Sequence, residues 1–141
     1  MSDETSLIHH ELSERIIGAA TTVLNTLRLG LDEKVYENAL VIELAEQGLR
    51  LQMQQPFNVH DKRHFIGKLI PDLIFEDKFI VDLKVAESFC ESDVAQVLGY
   101  LAITNLQLGL LLNFKYSRLK WNRVVRSNDR VNNREYRGWR V

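Results

Sequence analysis

The chain is 141 residues long, 45% apolar and 26% charged, which fits one globular domain and excludes a disordered or fibrous chain. Its net charge of −1 argues at face value against a nucleic-acid partner, but the charge is unevenly spread. Residues 1–114 carry nine Lys or Arg against seventeen Asp or Glu, a balance of −8; residues 115–141 carry nine against two, a balance of +7. An acidic body with a basic end lies behind the near-zero total.

The single cysteine, Cys90, can form no internal disulfide and no thiolate zinc site by itself. The polar, acidic start (Met1 to Thr5) is unlike a secretory signal, and the longest apolar run, residues 108–112, is far short of a membrane span. The expectation is a cytoplasmic protein with no membrane partner.

Residues 7–27 carry Leu12, Ile16, Ala19, Ala20, Val23 and Leu27 at helical spacing. Gly30 suits the stop. Asp32 can cap a second helix that runs to about Gln47, with Tyr36, Ala39, Leu40 and Leu44 as its stripe and Gly48 as its end. The period then shortens. Residues 49–60, with Pro56 inside, read as a strand near an edge, and residues 61–64 as a polar turn. Residues 66–75 and 79–86 read as a hairpin around Glu76, Asp77 and Lys78. Residues 92–104 return to helical spacing, with Val94, Val97, Leu98 and Leu101 as the stripe and Ser92 as a possible cap. Residues 106–114 read as a buried strand, and residues 121–125 as a candidate for another. The order α-α-β-β-β-α-β predicts a mixed sheet with helices against it. The Arg-rich tail from Ser127 is assigned no structure.

Three charges interrupt the most apolar strands: Asp72, Asp82 and Lys84. Each needs a reason, because an unpartnered buried charge is costly. Asp82 and Lys84 are two apart and share a face. Asp72 joins them only if Phe75 pairs with Phe79 across a three-residue loop. A one-residue slip turns it away. Two carboxylates and an ammonium on one face suit Mg²⁺ or Mn²⁺ and metal-assisted phosphodiester hydrolysis. The competing reading is a structural Asp–Lys pair. Two other acid-x-Lys triplets, at Asp32 and Glu76, lie at a helix start and in a turn, where charges need no special reason. Glu33 and Tyr36 lie one turn apart, with Glu37 a turn beyond Glu33, and Gln96 and Tyr100 are i, i+4 neighbours on the third helix.

This combination resembles the bacterial GxxExxY proteins of the PD-(D/E)xK nuclease superfamily. The naming motif stands as Gly30, Glu33 and Tyr36; the Pro-Asp as Pro71 and Asp72; the D-x-K as Asp82, Leu83 and Lys84. Gln96 and Tyr100 look like the helix motif of RecB-type and Cas4-type nucleases, and residues 109–114 like the fourth core strand. The resemblance covers roughly residues 10–126. It implies a restriction-endonuclease-like αβββαβ core, a mixed sheet flanked by helices, within a single domain over residues 1–126, ahead of the basic tail at 127–141. It implies a Mg²⁺-dependent (or Mn²⁺-dependent) deoxyribonuclease. Asp72, Asp82 and the Leu83 carbonyl would bind metal; Glu33 would bind it directly or through water. Lys84 would position the attacking water, and Gln96 and Tyr100 would orient Lys84 and the phosphate. The chain departs from the family in having Arg28 and Leu29 where Gly-Pro is usual, and Asp93 where a histidine often stands.

Two alternatives stay open. One is a nucleic-acid-binding module without cleavage, gripping phosphates through Arg123, Arg126, Arg130, Arg134, Arg137 and Arg140, with Tyr136 and Trp139 among them. The other is a protein-interaction domain on a degenerate nuclease fold. The small size makes a homodimer or a protein partner plausible.

Overall fold

The computed structural model describes residues 9–126. Helix α1 is His10–Leu27, α2 Glu33–Glu46 and α3 Glu91–Thr104. The strands are β1 Leu51–Met53, β2 Phe57–Asp61, β3 His64–Leu69, β4 Leu73–Phe75, β5 Phe79–Lys84, β6 Leu108–Asn113 and β7 Lys120–Val125. Five of them form a mixed sheet in the order β1-β4-β5-β6-β7, and β2 pairs with β3 alone. Only β5 and β6 run parallel, joined through α3; the other pairs are antiparallel. This is the expected restriction-endonuclease-like class, a mixed sheet with helices on both faces.

Alternation along the strands divides the core. Leu73, Phe75, Phe79, Val81, Leu83, Leu108, Leu110 and Leu112 face α1 and α2, where they meet Ile16, Ala20, Val23, Tyr36, Leu40 and Leu44. Ile74, Ile80, Leu111 and Val124 face α3 and meet Val94, Val97 and Leu101. At β6, Gly109 lets α3 come close: a Cβ there would collide with the Val97 side chain. Among the described residues no helix is long and apolar enough to cross a membrane.

The sequence reading needs three corrections. Residues 49–60 are two strands in different sheets, because Gln54 takes positive φ and Pro56 follows, which ends β1 before β2 begins. Residues 66–75 are likewise split. The chain leaves β3 at Leu69 and enters β4 at Leu73, through Ile70, Pro71 and Asp72. The cap of α3 is Cys90 rather than Ser92. Asp93 Oδ2 accepts from the Cys90 backbone N–H at 2.9 Å, and the Cys90 side chain meets the backbone of Asp93. Asp32 does stand at the start of α2, but its side chain makes no capping bond.

Candidate active site

The register of β4 and β5 decides whether the three strand charges can act together. Leu73 lies opposite Val81, Ile74 opposite Ile80 and Phe75 opposite Phe79. Residues 76–78 make the turn, closed by the Lys78 N–H donating to the Phe75 carbonyl at 2.9 Å. Continued by one residue, this pairing sets Asp72 across from Asp82. Since Ile74 and Ile80 face α3, alternation puts Asp72, Asp82 and Lys84 on that face too.

Asp82 is buried. The Lys84 ammonium lies 3.4 Å from Asp82 Oδ2 and 3.7 Å from Asp93 Oδ1. The first contact is an ion pair by distance, yet it is not an aligned hydrogen bond, so Oδ2 is left buried without one. Asp72 reaches Asp82 closely enough to share a hydrogen bond with it. Burial, that hydrogen bond and the Asp72 charge push Asp82 up to about 8, over the opposing pull of Lys84. Burial pulls the Lys84 ammonium down, but Asp82 and Asp93 outweigh it and hold Lys84 above its ordinary value.

Helices bring the remaining groups. Burial and then the charges of Asp82 and Asp72 raise the Tyr100 hydroxyl, with Lys84 opposing; α3 therefore brings Tyr100 within electrostatic range of the same cluster. Glu33, in the first turn of α2, is raised by burial and then by Asp72, and lowered by Lys84. It thus lies within electrostatic range of both. Gln96 is exposed on α3, one turn from Tyr100, and among the described residues no side-chain hydrogen bond ties it to the cluster.

The rest of the glycine–tyrosine motif is structural. Gly30 takes φ 94°, a left-handed conformation suited to glycine. The buried Tyr36 stacks on Phe114 with ring centroids 4.7 Å apart. Its hydroxyl donates to the Arg28 carbonyl at 2.6 Å and accepts from the Leu31 N–H at 3.3 Å. Tyr36 so ties down the loop that delivers Glu33.

Three residues of the site carried little signal in the sequence. Asp93 both caps α3 and holds Lys84; its seven-residue spacing from Tyr100, two turns on one helix face, is the clue available. Glu37 is buried, is paired with Lys34 at 3.5 Å, and is raised by burial and then by Asp72. Asn113 is buried beside Lys84 in the ladder. Its amide donates to the Ala86 carbonyl at 2.7 Å and its oxygen accepts from the Ala86 and Lys115 N–H groups, which pins the chain leaving β5. A lone Asn at a strand end gives no such warning in sequence.

Of the expected phosphate-gripping arginines, Arg126 donates to the Leu101 carbonyl and the Asn105 side chain at the end of α3. Arg123 is half-buried on β7. Arg130, Arg134, Arg137 and Arg140 lie outside the described residues. A hollow of about 670 Å³, lined by His9, Arg15, Gln47, Glu76 and Lys78 among others, sits by the β4–β5 turn, at the opposite end of these strands from Asp82 and Lys84. Concavity alone does not mark the charged cluster.

The donor set suits a hard cation. It offers an orphaned carboxylate oxygen in Asp82 and a second carboxylate that repels it, with room in the chemistry for water ligands. Among the described residues no three His, Cys, Asp or Glu side chains already converge as a complete cage.

Sheet order and site define a nuclease-type α/β domain. The family model of the PD-(D/E)XK nuclease superfamily matches residues 10–124, and the chain belongs to that superfamily. No curated protein matches it in sequence. Among solved structures, it is similar to SSO0001, at 10% identity and TM-score 0.45, over 86% of this chain and 81% of that one. It is also similar to the alkaline exonuclease LHK-Exo from Laribacter hongkongensis, at 11% identity and TM-score 0.47, over 89% and 90%.

Proposed function

We propose that the chain is a divalent-metal-dependent deoxyribonuclease of the GxxExxY type, using Mg²⁺ or Mn²⁺, and that it works in the cytoplasm. The observation that carries this reading is the common face of Asp72, Asp82 and Lys84, fixed by the β4–β5 register. Asp72, Asp82 and the Leu83 carbonyl would hold the cation, with Glu33 completing the shell directly or through water. When bound, such a cation polarises the phosphate and lowers the pKa of water.

The chain's own groups do the rest. The proton that Asp82 holds below about pH 8 must leave for its carboxylate to act as a ligand. That loss of a proton releases Lys84 from neither partner. Asp82 and Asp93 keep its ammonium charged and oriented, so it donates to the attacking water and stabilises the charge that develops on phosphate. Tyr100 offers a hydroxyl donor on the same face, and Gln96, one turn away, orients the substrate phosphate. Asp93 stands where the family often has histidine. It pairs with the Lys84 ammonium at 3.7 Å instead of supplying an imidazole base.

The test is cleavage of labelled DNA with Mg²⁺, with Mn²⁺ and with EDTA, beside Asp82→Ala and Lys84→Ala. Loss of cleavage in EDTA and in both variants is expected; equal activity in all would overturn the assignment. A module that binds without cutting is the second reading, favoured by the incomplete cage. It predicts affinity that does not change when divalent metal is added.

A further inference from the structure

The β2–β3 hairpin stands outside the main sheet, and its two faces differ. Phe57 opposite Leu69 and Val59 opposite Gly67 form a half-buried inner face, with Phe57 packed on the α3 side of the core. Asn58 opposite Lys68 starts the outer face. The register then slips by one residue between Val59 and His60, so that His60 meets Phe65. Simple alternation from Leu69 and Gly67 would turn Phe65 inward. The bulge turns it outward instead, a recognised use of bulges. Phe65 is left 56% exposed and Ile66 62%, with the His60 ring edge-on to Phe65 at 5.8 Å.

The tip is unusual as well. Lys62 and Arg63 occupy a two-residue turn with φ 50° and 72°. Such a turn ordinarily selects Asn-Gly, because both residues are left-handed. Two cations stand there instead, and Lys68 adds a third. Among the described residues no ion pair engages Lys62, Arg63 or Lys68. Within residues 57–69 the only acid is Asp61. The hairpin is therefore a cationic, aromatic projection on an acidic body. It is also rooted at the site: β3 leads through Ile70 and Pro71 directly to Asp72.

We propose that this hairpin is a binding site for single-stranded DNA, stacking bases on Phe65 and Ile66 and holding phosphates with Lys62, Arg63 and Lys68. An exposed aromatic ring beside an exposed aliphatic side chain, flanked by cations without ion pairs, is the chemistry that recognises a base–phosphate chain. A strand held there is delivered to the carboxylates beside which the hairpin is anchored. The inference rests on the nuclease reading but is tested apart from it, by binding without metal.

The experiment is fluorescence anisotropy of a labelled single-stranded oligonucleotide with the full chain in EDTA, across a salt series. Phe65→Ala should weaken binding about five- to one-hundred-fold, the range seen when a stacking aromatic is removed. The double variant Lys62→Ala/Arg63→Ala should lower the salt slope by about 1.4, at about 0.7 per phosphate contact. Phe65→Trp should restore binding, and oligonucleotide should quench its indole fluorescence beyond the quenching that the native Trp121 and Trp139 show in the wild-type chain, a signal that a merely structural role would not give. Unchanged affinity and slope, or absence of that additional quenching, would overturn the proposal. So would a wild-type chain that binds no single strand, or a shift from dimer to monomer on Phe65→Ala in sedimentation. If the hairpin variants lose binding while the wild type fails to cut DNA, the nuclease reading falls and the hairpin site stands. If the wild type cuts DNA and the hairpin variants bind and cut like it, the reverse holds.

Discussion

Two hairpins follow one another along this chain, β2–β3 and β4–β5, and they put similar residues to opposite uses. In β4–β5 every apolar side chain is buried, and Asp72, Asp82 and Lys84 are the exceptions gathered on one face. In β2–β3 Phe65 and Ile66 are exposed, and no ion pair engages the cations around them among the described residues. Ile80 and Ile66 make the contrast concrete: one is fully buried, the other mostly in water. An apolar residue carries information about stability in β4–β5, and under the proposal above about a partner in β2–β3.

The contrast breaks first at β5. Ile80→Ala should cost about 2–5 kcal/mol of stability, because it leaves a cavity between the sheet and α3. Chemical denaturation measures it. Gly109→Ala, one strand away, should cost about 1–3 kcal/mol, since its methyl would force Val97 and α3 outward. A thermal melt of that variant at the wild-type Tm would mean that α3 is not held as described.

The buried charge gives a signed prediction. Asp82 is pushed up to about 8 when folded, against about 3.9 in an unfolded chain. Between those values the folded state holds the extra proton, so stability falls as pH rises through that window and the loss is complete above it. Asp82→Asn removes the effect. Its advantage in unfolding free energy over wild type should be small near pH 4 and grow to about 1–3 kcal/mol by pH 9, discounted for the Asp72 and Lys84 interactions. Metal binding is linked to the same proton. Calorimetric Mg²⁺ affinity should strengthen with pH up to about 8, by up to about tenfold per unit, then level off. A flat profile from pH 6 to 9 would remove Asp82 from the ligand set.

What the sequence made legible follows the same divide. The β4–β5 pattern was readable because its charges violate an otherwise apolar run, and a violated rule is conspicuous. Its register stood as a condition, a three-residue loop that pairs Phe75 with Phe79, and that is the pairing found. The α1 and α2 stripes were readable by period. The break between β3 and β4 was not, because Leu69 and Ile70 continue the apolar run while the chain changes sheets. The outward turn of Phe65 was invisible for a related reason: a bulge reverses the faces without altering composition. Asp93 and Asn113 were obscured because their partners, Lys84 and Ala86, lie on other elements. Such long-range pairing leaves no local mark.

The smallest expected effect separates the two hairpins most cleanly. Ile66 is 62% exposed at the bulge, so truncating it removes little buried area. Ile66→Ala should change stability by less than about 0.5 kcal/mol, as surface substitutions usually do. The same substitution at Ile80 should be several times more costly, although both residues are isoleucines on short antiparallel hairpins. Denaturation midpoints with unchanged m-values are the measurement. A large loss at Ile66 would mean that the hairpin's outer face is packed against something, either a second copy or residues outside 9–126. In that case its apolar side chains would belong with those of β4–β5. A negligible loss leaves Phe65 and Ile66 as residues the fold does not require, so that their exposure on a cationic hairpin calls for a partner rather than a core.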